Sequence, residues 1–388
     1  MRDSFLSAIL PTPQQELYLK VILSEGPEWR DYWLEWSGTS DIDALDNGSY
    51  ALLPLLHKKL KQRGVDYPPL DRLRGAYRKN WVRNHHLFNQ AAPAMKSLHR
   101  ADIPIMLLKG AALILRVYND FGLRIMRDID LLVPTGRARA ALAILQQAGW
   151  TSAYAKLPVH EDVLNFHHAF SFRDSKGREL DLHRHALIHC MTEDADVDFW
   201  SLSEPVLVHD IPCRVMSPAD QLLHVLAHGA IRDSIPPLRW VADAVWILRR
   251  YPDLDWRRLL RQTEKRQLAL PVRAALDYLT GIIGASVPAD VRDRLHQMRV
   301  SAESRALNEM YIQPISPALY TKYFWAGFQR YRNGAGRKGL LRNLAPYGRV
   351  LQVRWGLRSL WHVPLAVFGW ALSQVMRRPS PLPADGKK

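Results

Sequence analysis

Two aspartates one residue apart, Asp128 and Asp130, head the apolar run in "GLRIMRDIDLLVPTG", residues 122–136. The pattern alone carries little, because Asp-x-Asp also occurs at 41/43, 194/196, 196/198 and 253/255. Context separates them. Asp41 and Asp43 lie among Gly38, Ser40, Asn47 and Gly48 and read as turn and cap residues. Asp194, Asp196 and Asp198 fall in an acidic, loop-like stretch, and Asp255 precedes Trp256 as a helix cap. Asp128 and Asp130 instead lead into a strand pattern, on which residues two apart project from one face with Cα atoms roughly 6.5–7 Å apart. Carboxylates so placed repel unless cations sit between them. Their reach suits a pair of divalent ions roughly 3.5–4 Å apart, the spacing that clamps a phosphoryl group during in-line displacement. Mg²⁺, with Mn²⁺ as its substitute, is the expected occupant, since it takes oxygen ligands from few carboxylates and completes its shell with phosphate and water.

That geometry asks for a third carboxylate on a neighbouring strand, and "ELDLHRHAL" offers one. Glu179, Asp181, His183 and His185 share one face of the pattern, with Leu180 and Leu182 on the other. Asp181, flanked by leucines as Asp130 is, reads as the ligand; Glu179, beside the turn, reads as solvated. Phosphates need a cradle, and "LLKGAAL" places Gly110 between a strand and a helix, where backbone N–H groups face an anion. Lys109 adds a mobile charge, and Arg124 and Arg127 stand just before the acidic pair, able to offset triphosphate charge. His183 projects beside Asp181 and is placed to touch substrate or orient the carboxylate.

The elements that must hold these residues follow from periodicity. The first 100 residues carry apolar side chains at three- and four-residue steps and read as helices punctuated by Pro68, Pro69 and Pro93. After Asp102 the texture changes. "IPIMLL" reads as a strand, "AALILRVYN" as a short helix, "RDIDLLV" as a second strand, and "RARAALAILQQAG" as a helix capped by Thr135 and stopped at Gly149. "HHAFSFRDSKGRELDLHRHAL" reads as a hairpin about the turn Asp174 to Gly177. Helical texture returns at Ser217, which caps "PADQLLHVLAHGA" with Asp220 three residues on. Asp243 stands out as a charge within the apolar helix "LRWVADAVWIL", paired with an arginine such as Arg239 or facing the cleft.

Bulk properties bound the function. A chain of 388 residues, 47% hydrophobic and 23% charged, is globular material for two or three domains. Two cysteines, Cys190 and Cys213, make no disulfide framework and fit a reducing cytosol. The N-terminal stretch lacks a signal-like apolar run, so an unprocessed cytoplasmic chain is expected, peripheral at a membrane if its basic end binds lipid. From Tyr320 onward, 13 Lys or Arg face Asp385 alone, a net +12 of the chain's +15. Such a block attracts an anionic partner: nucleic acid, lipid or an acidic protein. "LWHVPLAVFGWALSQVM", residues 360–376, is too short and interrupted to span a bilayer and reads first as a buried core helix, then as an interfacial one. The tail "RPSPLPADGKK" is expected to be disordered.

Taken together, the Lys109-Gly110 turn, Arg124, the Asp128/Asp130 pair and the later Asp-Leu-His at 181–183 resemble the DNA polymerase beta-type nucleotidyltransferase superfamily. More narrowly, the chain resembles the bacterial "uncharacterised nucleotidyltransferase" family, over roughly residues 50–250. The resemblance implies an α+β fold, a small mixed β-sheet nucleotidyltransferase core embedded in helical regions. It divides the chain into 1–100 (helical), 101–215 (catalytic), 216–300 (helical bundle on the core) and 301–388 (basic, aromatic-rich). It implies that Asp128 and Asp130 bind Mg²⁺, that Asp181 assists the catalytic metal, and that Gly110, with Lys109 and Arg124, handles the triphosphate of an NTP such as ATP. An NMP would pass to a hydroxyl on a protein, peptide, small molecule or RNA. Ala111 departs from the Gly or Ser usual after the glycine and removes one phosphate contact. Two rivals stand beside this reading: zinc on His183, His185 and His189, and a decayed scaffold acting through the basic C-terminal region. His224 and His228, one helical turn apart, either line the cleft or pack.

Overall fold

A computed structural model describes residues 10–152, 167–229, 238–302, 304–306, 308, 327–329, 331–332, 341–354 and 357–376. They fall into two compact units, one within 1–156 and 168–313, the other within 157–167 and 314–388.

The first unit opens with α1 (Pro13–Leu23) and α2 (Trp29–Thr39). Thr12 starts α1 through a reciprocal capping box with Gln15, and Pro13 enters the first turn, where its missing N–H costs nothing. Trp29, Trp33 and Trp36 recur at helical spacing and are buried, Trp36 stacking on Tyr18 with centroids 5.0 Å apart. A short α3 (Asn47–Tyr50), capped by Asp46, leads to α4 (Leu53–Gln62) and the 31-residue α5 (Leu70–Arg100). Pro93 lies inside α5 and does not end it. Asp41 accepts the Asp43 N–H, the capping role expected of it.

The sheet has seven strands in the order β3-β4-β5-β2-β1-β7-β6. They are β1 (Met106–Leu107), β2 (Asp130–Leu132), β3 (Trp150–Ser152), β4 (Ala169–Asp174), β5 (Glu179–His183), β6 (Glu204–Val208) and β7 (Ile211–Val215). β2 runs antiparallel to β1 and parallel to β5, so the sheet is mixed and the fold α+β, as expected. The β4–β5 hairpin turns at Asp174–Gly177, where Gly177 takes φ +73. "IPIMLL" supplies only two strand residues. β3 and the β6–β7 hairpin were not foreseen.

α6 (Lys109–Leu113) follows β1 and runs into a π-turn, Ile114–Tyr118, closed by Asn119 in the left-handed region. α7 (Ala138–Gln147) follows β2 and is stopped by Gly149 at φ +84. Thr135 is not its cap: its hydroxyl donates to the Arg184 carbonyl, and Arg137 stands at the cap position. Beyond β5 come α8 (Val197–Ser201), α9 (Pro218–Gly229), α10 (Arg239–Arg250), α11 (Trp256–Lys265), α12 (Ala269–Gly281) and α13 (Ala289–Gln297). Ser217 and Asp255 bond the first turns of α9 and α11, as their types predict. Met106 and Leu132 join one large core cluster with α1, α2, α4 and α9–α12. By strand alternation, the face of β2 that carries Leu132 and Asp130 therefore looks toward this helical bundle.

α5 fixes the loop that leads into β2. Asn84 Nδ2 donates to the Phe121 and Arg124 carbonyls at 2.6 and 2.8 Å, and Asn80 Nδ2 to the Gly122 carbonyl at 2.7 Å. Gly122 is required by close approach, since a Cβ there would meet the Tyr77 ring at 2.1 Å.

The second unit contains α14 (Leu341–Arg354) and α15 (His362–Met376), around a small cluster that includes Phe328, Tyr331, Tyr347 and Val363. α15 is not the buried helix expected: Trp361, Leu365 and Phe368 are 86, 70 and 67% exposed. The tail 378–388 lies outside the described residues.

Asn84→Ala removes the donor from two loop carbonyls. It is expected to lower stability by about 2–4 kcal/mol in urea denaturation, more than an exposed α5 substitution such as Lys79→Ala.

Candidate active site

The strand ladder places the acidic residues. β2 and β5 pair in parallel with Asp130 opposite Asp181 and Leu132 opposite His183, so Asp130, Asp181 and His183 share the bundle-facing side. Backbone bonds lock the register: the Asp181 N–H donates to the Ile129 carbonyl (2.9 Å) and the Leu108 N–H to the Asp130 carbonyl (3.1 Å). Asp130, Asp181 and His183 each offer a ligand atom within 4.8 Å of the others.

Asp128 departs from expectation. The strand begins at Asp130, and Asp128 sits in the bend that precedes it rather than on the strand. It nevertheless feels both other carboxylates. Burial, then the charges of Asp130 and Asp181, push its carboxyl up to about 6.

Asp130 is buried, and its Oδ1 accepts from Lys109 Nζ at 2.6 Å and His183 Nε2 at 2.8 Å. Burial opposes its ionisation, but the Lys109 charge and the His183 bond overcome that and hold the carboxyl far below its usual range. Burial likewise works against the Lys109 ammonium, yet Asp130, with Asp128 and Asp181 beyond it, keeps it above its ordinary value. Lys109 takes φ +46, a left-handed conformation that aims its side chain back at β2. Among the described residues no side-chain hydrogen bond reaches Asp128 or Asp181. Three carboxylates therefore face one ammonium and one imidazole, a donor set that fits a hard divalent cation on Asp130 and Asp181 with Asp128 beside it.

Gly110 is needed for a reason the sequence did not disclose. Its backbone is not left-handed; a Cβ there would meet Arg124 Nη1 at 2.4 Å and Met126 Cγ at 2.6 Å. Arg124, expected to face triphosphate, is anchored on Asp243: Nε and Nη2 both bond that carboxylate at 2.9 Å, and Tyr118 donates to it at 2.8 Å. Asp243 is thus paired with an arginine, Arg124, as a buried charge requires. Arg127 is exposed.

The histidines divide. His183 belongs to the acidic group. His185 Nδ1 bonds Asp196 at 3.0 Å, and Asp196 also accepts the Ala186 N–H, so within its loop-like stretch Asp196 is a buried anchor. Among the described residues, the zinc set of His183, His185 and His189 does not form a metal-ligating group. His224 packs, donating to the Ala186 carbonyl; burial and the nearby Lys109 charge push it down to about 3, so it is neutral. Its ring stacks on that of His228, which is exposed. Sequence reading missed Asn80, Asn84 and Tyr118. Two asparagines four apart on the buried side of a long helix were the available signal.

A family model described as an uncharacterised nucleotidyltransferase matches residues 49–284, more than half of the chain and every acidic residue of the site. The chain belongs to this uncharacterised nucleotidyltransferase family. No curated protein and no solved structure matches it. In this family member the Lys109-Gly110 turn, β2 and β5 converge as the motifs require, with Arg124 placed behind them.

The raised carboxyl of Asp128 has a pH signature. A carboxyl that keeps its proton in the folded state, where the unfolded chain has lost it, costs stability as pH rises from about 4 through about 6. In EDTA, Asp128→Asn is therefore expected to raise stability at neutral pH by about 1–3 kcal/mol and to change it little near pH 4, read by thermal unfolding.

Proposed function

We propose that this protein transfers a nucleotidyl group from an NTP, ATP being the expected donor, to a hydroxyl acceptor. The observation that carries the reading is Asp130 and Asp181 in register on neighbouring parallel strands, with His183 bonded to Asp130, inside a nucleotidyltransferase family match. Asp130 and Asp181, with Asp128 beside them, would hold Mg²⁺ or Mn²⁺. Such ions, when bound, neutralise phosphate oxygens and favour the ionised hydroxyl.

The chain's own residues do the rest. Lys109, bonded to Asp130, would offer the phosphates a mobile charge, and Arg127 would meet them from the exposed loop. His183 orients Asp130. Arg124 acts at one remove: locked to Asp243, it supports the Gly110 turn and keeps its N–H groups in place. Asp181 accepts the acceptor proton as the new P–O bond forms at the α-phosphorus and the α–β bridge breaks, releasing pyrophosphate. Most of the acceleration in such chemistry comes from positioning and charge neutralisation.

The second unit fits an anionic membrane surface. Leu365 and Phe368 of α15 and Trp361, in the turn just before it, are exposed at steps of four and three residues, and Arg342, Arg349 and Arg358 are exposed in the same unit. An exposed apolar stripe beside arginines is the composition of a helix that lies in a lipid interface. Among the described residues no helix is long and apolar enough to cross a membrane.

Incubation of the protein and cell extract with α-labelled NTPs and Mg²⁺ is expected to move label onto an acceptor. Asp130→Asn should cut the transfer by roughly 10²–10³-fold. Label arriving from the γ-phosphate instead would identify a kinase, and transfer indifferent to Asp130→Asn would favour the scaffold alternative. In liposome flotation the protein is expected to rise with vesicles containing an anionic lipid, and Trp361→Ala with Phe368→Ala to sink it. Equal flotation with neutral vesicles would contradict the surface assignment.

A further inference from the structure

Away from the acidic site, α1, α4, the π-turn and α10 enclose a cavity of about 330 Å³, within the size range of pockets that hold small ligands. Its floor is apolar, from Ile22, Leu55 and Val117, and its rim is cationic, from Lys58, Lys59, Arg249 and Arg250. Charge is unevenly matched there. Glu25 alone among the lining residues carries a carboxylate, and it is shared: Lys59 Nζ at 2.9 Å, Arg249 Nη1 at 3.0 Å and, from outside the cavity, Arg63 at 3.8 Å. Among the described residues neither Lys58 nor Arg250 forms an ion pair with a carboxylate. Lys58 lies 4.6 Å over the Trp246 ring instead, and Arg250 over Tyr251. Asp120, the nearest other acid to Lys58, is engaged by Tyr77 and the Gly122 N–H.

A half-buried ammonium with no ion-pair partner is costly, and burial, outweighing the more distant Asp120 charge at Lys58 and the Glu25 bond at Lys59, pulls both lysines below their ordinary range. An anion entering the cavity would supply the missing charge. Lys and Arg converging from two helices suit phosphate oxygens, the lysines as point charges and the arginines as forks. The apolar floor would receive the body of the ligand.

We propose that this cavity is a binding site for a small phosphorylated molecule, separate from the acidic cluster and independent of the transferase reading. It nonetheless shares a wall with that cluster's support. Trp246 stacks on Tyr118 with centroids 4.9 Å apart, and Tyr118 bonds Asp243 beneath the Gly110 turn.

The test is calorimetric titration of the full chain with inorganic pyrophosphate and with ribose 5-phosphate, in EDTA so that no divalent ion bridges phosphate to the acidic cluster. Saturable binding is expected. Lys58→Gln with Arg250→Gln should weaken it about tenfold or more, whereas Lys58→Arg and Asp130→Asn should leave it within a factor of about two. On the unmodified protein, the same ligands should protect Lys58 from amine acetylation in peptide mass mapping. No saturable binding in the millimolar range, binding lost in Asp130→Asn but kept in the Lys58/Arg250 double variant, or Lys58 acetylated equally with and without ligand would each overturn the proposal.

Discussion

Like charges held together need a cation, and the centre of this molecule is arranged around that need. Asp130 and Asp181 are fixed side by side by the parallel β2–β5 ladder, and Asp128 is brought close by the bend before β2. The backbone bonds that set this register also form the sheet, so the carboxylates cannot relax apart without losing strand pairing. Lys109 and His183 compensate Asp130 from either side. Among the described residues Asp128 and Asp181 have no comparable partners, and the upward push that burial and repulsion give the Asp128 carboxyl expresses the same deficit.

A second layer holds the first in place. Arg124, Asp243 and Tyr118 form a buried, hydrogen-bonded triad beneath the Gly110 turn, and Asn84 ties the backbone at Arg124 to α5. Removing one partner from such a set leaves an unpaired charge in a poorly solvated place, which costs far more than the pair gains over apolar packing. The arrangement is better understood as fixing geometry than as adding stability. It also explains why α5 runs on through Pro93: a long rigid helix spans the loop it must pin and the sheet it covers.

The fold was legible where periodicity and turn chemistry agree. The β4–β5 hairpin and the caps at Asp41, Ser217 and Asp255 follow from side chains that satisfy their own nearby backbone, and the stop at Gly149 from the positive φ that glycine adopts freely. Asp130, Asp181 and His183 were found because alternation along a strand assigns faces without coordinates. The misreadings share a different cause. Thr135 and Pro93 are decided by contacts outside the local pattern, respectively the Arg184 carbonyl and the buried Ala94, Met95 and Leu98 farther along α5. Local pattern cannot weigh such contacts. The start of β2 differs for a smaller reason, a strand boundary at Asp130, three residues after Arg127, where its hydrophobic pattern begins, and boundaries are the least determined feature of any such reading.

The central claim, that these carboxylates form a divalent-cation site, is tested most directly by titrating the purified protein with Mn²⁺ and following the free ion by electron paramagnetic resonance. Saturable binding that disappears in Asp181→Asn, while that variant retains its fold, is the predicted result. Mn²⁺ binding of equal strength in Asp181→Asn, or none in the unaltered protein even with NTP present, would contradict it.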